Sequence, residues 1–224
     1  MRARMESLDM LANNIANSGT VGFKSDKEFY SLYEQELPMI QQQWIDFSQG
    51  MLTPTGNALD LSLSGQGFFA LNSPKGTIYT RTGQFQISKS NQLQTAEGYT
   101  LRDTKNNGLP ITVDPTQPID IAKDGTVQQN GQTIAQIELG SVENPAQAMA
   151  KMGGAYFISM PMGKQIPVPD TEIHQGALEQ SNVPVADAAV RLVSIMRQFE
   201  MLQKALTVGA DMDKQAVEQV AKVS

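Results

Sequence analysis

The chain is predicted to be mainly β with terminal α-helices. A central antiparallel β domain, barrel-like or sandwich-like, is flanked by N- and C-terminal helices that pair into a coiled-coil stalk. Three observations carry that prediction. Short apolar or alternating runs recur through the middle of the chain between Gly, Asn, Asp and Pro turn signals. Helical spacing of apolar residues is confined to the two ends. Each end carries a narrow apolar seam, and because an isolated short helix is marginal in water, each seam is the natural partner of the other.

Residues 1–32 form the first segment, a helix followed by a turn. Met5, Leu8, Ala12 and Ile15 follow a/d spacing. The stretch LANNIANSGTVGFK, residues 11–24, places Asn13, Asn14 and Asn17 in and beside that helix. Asn competes with helix by bonding nearby backbone and is usual at helix ends and turns. Asn17 and Gly19 are therefore expected to end the helix. With Met5 and Ala12 at a and Leu8 and Ile15 at d, Asn13 and Asn14 fall at b and c, and Met10 and Asn17 at f. These four residues point away from the intramolecular seam and are expected to contact another subunit.

Residues 33–172 read as the β-rich domain. Leu59–Leu63 alternates, Gly67–Leu71 follows, and Thr77–Arg81 and Gln84–Ser88 flank Thr82-Gly83. Asn106-Asn107-Gly108, Asp124-Gly125 and Asn130-Gly131 are hairpin signals, because Asn and Gly tolerate positive φ. Thr133–Leu139 alternates again, and Pro161, Pro167 and Pro169 mark an extended link.

Residues 173–224 are expected to be a linker and a long helix, from Val183 to about Val223. Val185, Ala188, Leu192, Ile195, Phe199, Leu202 and Leu206 hold a heptad seam, weakened beyond it by Gly209 and Asp213. Off the seam, Arg197, Glu200, Met201 and Lys204 are expected to meet another subunit. A helix of that length reaches ~60 Å at ~1.5 Å per residue.

Composition excludes several classes. A net charge of -6 and a pI near 4.8 leave no electrostatic footprint for nucleic acid. The chain has no cysteine, which removes disulfides, thiolate nucleophiles and cysteine metal sites. No apolar run approaches the ~20 residues of a membrane helix, and MRARMESLDM lacks the apolar core of a cleaved secretory signal.

No reaction centre emerges, so no catalytic, cofactor-binding or metal-ligating residue is assigned. His174 is the single histidine and has no cysteine partner or G-x-S-x-G elbow. Gly65-Gln66-Gly67 lacks the third glycine of a dinucleotide fingerprint and reads as a tight turn feeding a buried strand. Asp103, Asp114, Asp120 and Asp124 are scattered outside any calcium-loop spacing. Trp44 is expected to anchor a loop on the core, and Lys24 and Lys27 beside Phe23 are too few for a nucleic-acid stripe.

Four stretches in order resemble the bacterial flagellar basal-body rod and hook proteins. LANNIANSGTVGFK is similar to that family's helix ending in A-N-N-[LIV]-A-N and its T-x-G-[FY] turn. DFSQGMLTPTGNALDLSLSGQGFFAL (46–71) resembles its entry into the β domain, YTRTGQFQISKSNQLQTAEGY (79–99) the next block, and GALEQSNV (176–183) the join to the last helix. MRQFEMLQK (196–204) is closer to the proximal-rod branch, with R-x-F-E-M-x-x-K, than to the distal-rod branch. Family members carry a further apolar helical start ahead of the position matched by Met1.

The resemblance implies a structural subunit of the rod, the drive shaft between motor and hook. It implies export from the cytoplasm by the flagellar type III apparatus, with copies of itself and neighbouring rod proteins as partners. The terminal helices would line the inner tube and the β domain the outer layer, with no nucleic acid, membrane insertion or enzyme activity. Two other readings find little support in the residues. A secreted adhesin or glycan-binding β module with an oligomerising stalk needs aromatic platforms, and only 6% of residues are aromatic. A peptidoglycan hydrolase needs two carboxylates about the scissile bond, and no pair announces itself.

Overall fold

Turn chemistry sets the strand pairing in the computed structural model, which describes residues 2–31, 39–160, 165–166 and 170–223. Asn130 and Gly131 take φ of 52° and 74° and close a two-residue hairpin between Thr126–Gln129 and Gln132–Gln136. That left-handed turn matches the twist of an antiparallel pair. Asp120–Ile121 adds the third strand of this small sheet.

A ten-stranded sheet forms the bulk of the β structure. It runs in the open order Met149–Gly153, Tyr156–Ser159, Gly76–Thr80, Phe68–Ser73, Thr100–Asp103, Leu93–Gln94 and Gln86–Ile87. Leu109–Pro110 joins Thr100–Asp103, Leu139–Val142 joins Phe68–Ser73, and Gln165–Ile166 joins Leu139–Val142.

The run Phe68-Phe69-Ala70-Leu71 does not alternate because both faces of its strand are buried. Phe69 and Leu71 join Ile78, Leu101 and Tyr156 in one core, with Val127 and Ala135 from the small sheet and Leu63 and Ile173 from a separate ribbon. Phe68 and Ala70 face a second core with Tyr79, Phe157, Val142 and Met149. There Phe47, Phe68 and Phe157 meet edge-on, with ring centroids 5.2–5.7 Å apart, the arrangement that aromatic quadrupoles favour.

Two ribbons return the end of the β region to its beginning. Leu61–Ser64 pairs with Glu172–Gln175, and Leu52–Pro54 pairs with Ala177–Glu179. A further two-stranded sheet, absent from the sequence expectation, pairs Asp26–Ser31 with Met39–Ile45. Trp44 lies on its second strand rather than in a loop, and is half-buried. The expected link at Pro161, Pro167 and Pro169 lies outside the described residues.

The helices are α1 (Arg2–Ala16), the single turn α2 (Pro145–Ala148) and α3 (Val185–Val223). With 15 residues against 39, α1 packs on α3 but is less than half its length. Gly19 keeps an ordinary φ after α1, and Gly22 takes the left-handed one at 68°.

The chain divides into two units. One gathers residues 1–16, 28–43 and 184–224; the other gathers 17–27 and 44–183. In this division residues 17–27 and 173–183 stay with the β structure, tied to it by the ribbons and by backbone bonds such as Gly22 N–H to the Glu179 carbonyl at 2.8 Å.

Candidate assembly interface

Within the helical unit, α3 is apolar on two opposite faces. Along one, Ala188 is buried and Leu192, Ile195 and Phe199 are half-buried. The flanking seam residues Val185 and Leu202 are exposed, and the Leu206 side chain lies outside the described residues. On the opposite face Val190, Met201 and Met212 are 71%, 62% and 65% exposed, with Val208 between them. Arg197 and Lys204 share that face and are exposed, as is Glu200 beside it. A groove along the helix is lined by Val190, Val193, Arg197 and Met201 among others.

The covered stripe of α1 differs from the expected seam. Ser7, Leu11 and Asn14 are buried and Leu8 and Ile15 half-buried, while Met5 and Ala12 are exposed. The stripe is turned by roughly one residue, ~100° of helix. The physical gain is Leu11, whose side chain removes far more apolar surface from water than Ala12. Of the four residues expected to face a neighbour, Asn13 is exposed, Met10 and Asn17 are half-buried, and Asn14 is buried.

Within the β unit, the stretches that adjoin the terminal helices converge on a buried charge cluster. Lys24 Nζ sits 2.7 Å from Glu179 Oε1 and donates to the Ser48 carbonyl at 2.6 Å. Arg81 Nη1 sits 3.1 Å from Glu179 Oε2, and Nη2 donates to the Gly65 carbonyl at 2.6 Å. Gly50 N–H donates to Glu179 Oε1 at 2.8 Å. Burial lowers the Lys24 and Arg81 pKa values, and Glu179 opposes the shift in both. Asn182 is a second tie: it accepts from Ser25 N–H and donates to the Asp46 and Ser48 carbonyls, at 2.8–3.0 Å.

Glycine permits this convergence. A Cβ on Gly22 would stand 2.4 Å from the Arg81 carbonyl carbon, and one on Gly83 would stand 1.5 Å from the Leu61 carbonyl oxygen. The backbones of TVGFK, YTRTG and LDL therefore pass at distances that no side chain allows.

Lys24, Arg81, Glu179 and Asn182 all fall within stretches that known families match. The flagella basal body rod protein family matches residues 1–24, the flagellar hook protein FlgE/F/G D1 domain matches 62–129, and the flagellar basal body rod FlgEFG C-terminal family matches 174–219. The flagellar basal-body rod protein FlgF of Caulobacter vibrioides is 32% identical over 97% of this chain and 93% of its own length. The chain belongs to the flagellar basal-body rod protein family. FlgF of Mesorhizobium japonicum is 31% identical over 86% of the chain and 83% of its own length. FlgG of Borreliella burgdorferi is 30% identical over 95% and 92%. The protein is thus FlgF-like within the rod family, and its place is the flagellar basal body.

In this rod protein the motif residues have visible physical tasks. In TGNALD, Thr55 Oγ1 and Asn57 Nδ2 both donate to the Asp60 carboxylate, at 2.7 and 3.1 Å, which ties the turn before Leu61–Ser64. In SGQGFF, the Gly65 and Gln66 carbonyls are held by Arg81 and Thr171, so the glycines make the turn that feeds the buried strand.

The residues considered for chemistry are otherwise employed. His174 lies on Glu172–Gln175, with Nε2 3.7 Å from Glu172. Asp103, Asp114 and Asp124 each accept the backbone N–H two residues on, pinning their own turns, while Asp120 is an exposed strand residue. Lys27 pairs with Asp46 at 2.6 Å.

Sequence reading did not single out Lys24, Arg81, Glu179 and Asn182 as one cluster. The available signal was charged or amide residues embedded between glycines and apolar neighbours in GFK, YTRTG and ALEQSN.

Proposed function

We propose that this rod protein is a structural subunit that enters the rod by helix packing. In this reading α1 and α3 pair within the subunit as a coiled-coil stalk through Leu8, Ile15, Ala188, Leu192, Ile195 and Phe199, with Met5, Ala12, Val185, Leu202 and Leu206 extending the seam on assembly. The open face of α3, with Arg197, Glu200, Met201 and Lys204, then meets other copies and neighbouring rod proteins. Met10, Asn13 and Asn17 complete that contact from α1, while the buried Asn14 packs within the subunit. One observation carries the reading: α3 is apolar on two opposite faces, and Val190, Met201 and Met212 remain exposed on the second. A second exposed apolar face on a long helix marks an interaction surface.

The core shared between the long sheet and the small sheet favours a sandwich-like outer domain over a closed barrel. The role is structural rather than catalytic. Export by the flagellar type III apparatus is part of the same reading and rests on the family. FlgG relatives nearly as similar as the FlgF ones keep a distal-rod position as the second reading.

The test is complementation of a deletion strain with Val190→Asp/Val208→Asp. The variant subunit should be exported and its β unit should keep its urea midpoint, while basal bodies end short of the hook. Normal rods and motility would overturn the proposal. Labelling the wild-type subunit in isolated basal bodies separates the proximal from the distal position.

A further inference from the structure

Twelve methionines and no cysteine leave this chain with thioethers, and not thiols, as its readily oxidised groups. Their placement is uneven. Met149 is 3% exposed in the second core, whereas Met201 and Met212 stand open on the outer face of α3, in line with Val190 and Val208. We propose that this face is an oxidation-sensitive assembly surface, in which conversion of Met201 and Met212 to sulfoxides by a hydroperoxide keeps the free subunit out of the rod. The proposal rests on the assembly reading above.

The chemistry balances with the peroxide as sole co-reactant. The thioether sulfur attacks one peroxide oxygen, the S–O bond forms and the O–O bond breaks. The sulfur is oxidised by two electrons, and the remaining oxygen takes a proton and leaves as water or an alcohol. The product is a polar S=O acceptor where a flexible apolar side chain stood. In solvent the change is harmless to the helix. Between packed helices the new acceptor is stripped of its water beside Val190 and Val208, and that desolvation opposes association. Once the face is covered by a neighbour, peroxide no longer reaches the sulfurs, so the switch acts on unassembled subunits. Sulfoxide reductases reverse it.

The experiment treats the full-length protein with hydrogen peroxide and maps oxidised methionines by mass spectrometry. Self-association is followed by sedimentation velocity across a concentration series. Leucine is close to methionine in volume and apolarity, so Met201→Leu/Met212→Leu keeps the face while removing its oxidisable atoms. Peroxide should weaken wild-type association by about tenfold or more, leave the double-leucine variant unchanged, and be reversed by methionine sulfoxide reductase. Met51, 73% exposed in the β unit, is oxidised in both proteins and serves as the internal control. Equal loss in both proteins, or undiminished wild-type association with both sulfurs converted, overturns the switch alone. Wild type with no concentration-dependent association overturns the switch, and untreated Val190→Asp/Val208→Asp that associates like wild type overturns the assembly reading and the switch with it.

Discussion

Lys24 and Glu179 are 155 residues apart in the chain and 2.7 Å apart in the structure, with neither side chain exposed to solvent. Glu179 also holds Arg81 at 3.1 Å, so one carboxylate serves two buried cations, each of which takes a backbone carbonyl as well. A buried pair of this kind adds little net stability, but removing one member strands the other. Glu179→Gln should therefore destabilise the β unit by roughly 3–5 kcal/mol, since two cations lose their counter-charge together. Lys24→Met should cost less, because Glu179 keeps Arg81 and the Gly50 amide. Urea titrations of both variants test the order. A Glu179→Gln midpoint close to wild type would mean that the carboxylate is not what holds the two segments together.

The backbone approach at Gly22 makes a second prediction. Its φ of 68° disfavours any side chain, and an added Cβ would meet Arg81 backbone at 2.4 Å. Gly22→Ala should cost ~1–3 kcal/mol from conformation alone, with the close approach adding to it. Gly19, three residues earlier, has open space about it and an ordinary φ. Gly19→Ala should be neutral or slightly stabilising through the unfolded chain. Equal melting temperatures for the two alanine variants would contradict the account.

Much of this fold was legible locally, and the limits of legibility have physical causes. The Asn130-Gly131 hairpin and the buried Phe68–Leu71 run could be read because turn chemistry and burial act over a few residues. Helix α3 was legible to within two residues at its start, since its seam announces it. The Asp26–Ser31 strand was not, because DKEFYS carries no alternation that distinguishes it from a turn. The covered stripe of α1 lies about one residue from the a/d set: that spacing treats Ala12 and Leu11 as interchangeable apolar marks, while packing weighs their areas. The Lys24–Glu179–Arg81 cluster depends on contacts across most of the chain, which no local pattern encodes.

Acid pH offers a third test. Burial alone would raise the Asp46 pKa, but hydrogen bonds from Lys27 and Ser48 outweigh it and bring it below the ordinary value. A carboxylate depressed in the folded state contributes stability above its unfolded value, about 3.9, and loses it as pH falls through the folded one. The stability difference between wild type and Asp46→Asn should be constant from neutrality to about pH 5 and shrink at lower pH. A difference that grows on acidification would reverse the sign and refute the assignment.

The asparagines of α1 supply the last prediction, because the two adjacent residues sit in opposite surroundings. Asn13 is exposed, while Asn14 is 4% exposed, level with Leu11 in the covered stripe. Replacing a buried amide by an apolar side chain removes its hydrogen bonds and leaves any buried partner unsatisfied, at about 1–3 kcal/mol. Asn14→Leu should thus loosen the helical unit itself, seen as faster amide exchange along α1 and α3 in the isolated subunit. Asn13→Leu, at an exposed position, should change that exchange less than Asn14→Leu does and should lower incorporation into rods. The pair separates folding from assembly within one helical turn. Equal amide exchange in both variants would place Asn14 outside the packing of the subunit. Normal rods with Asn13→Leu would take Asn13 out of the subunit contact.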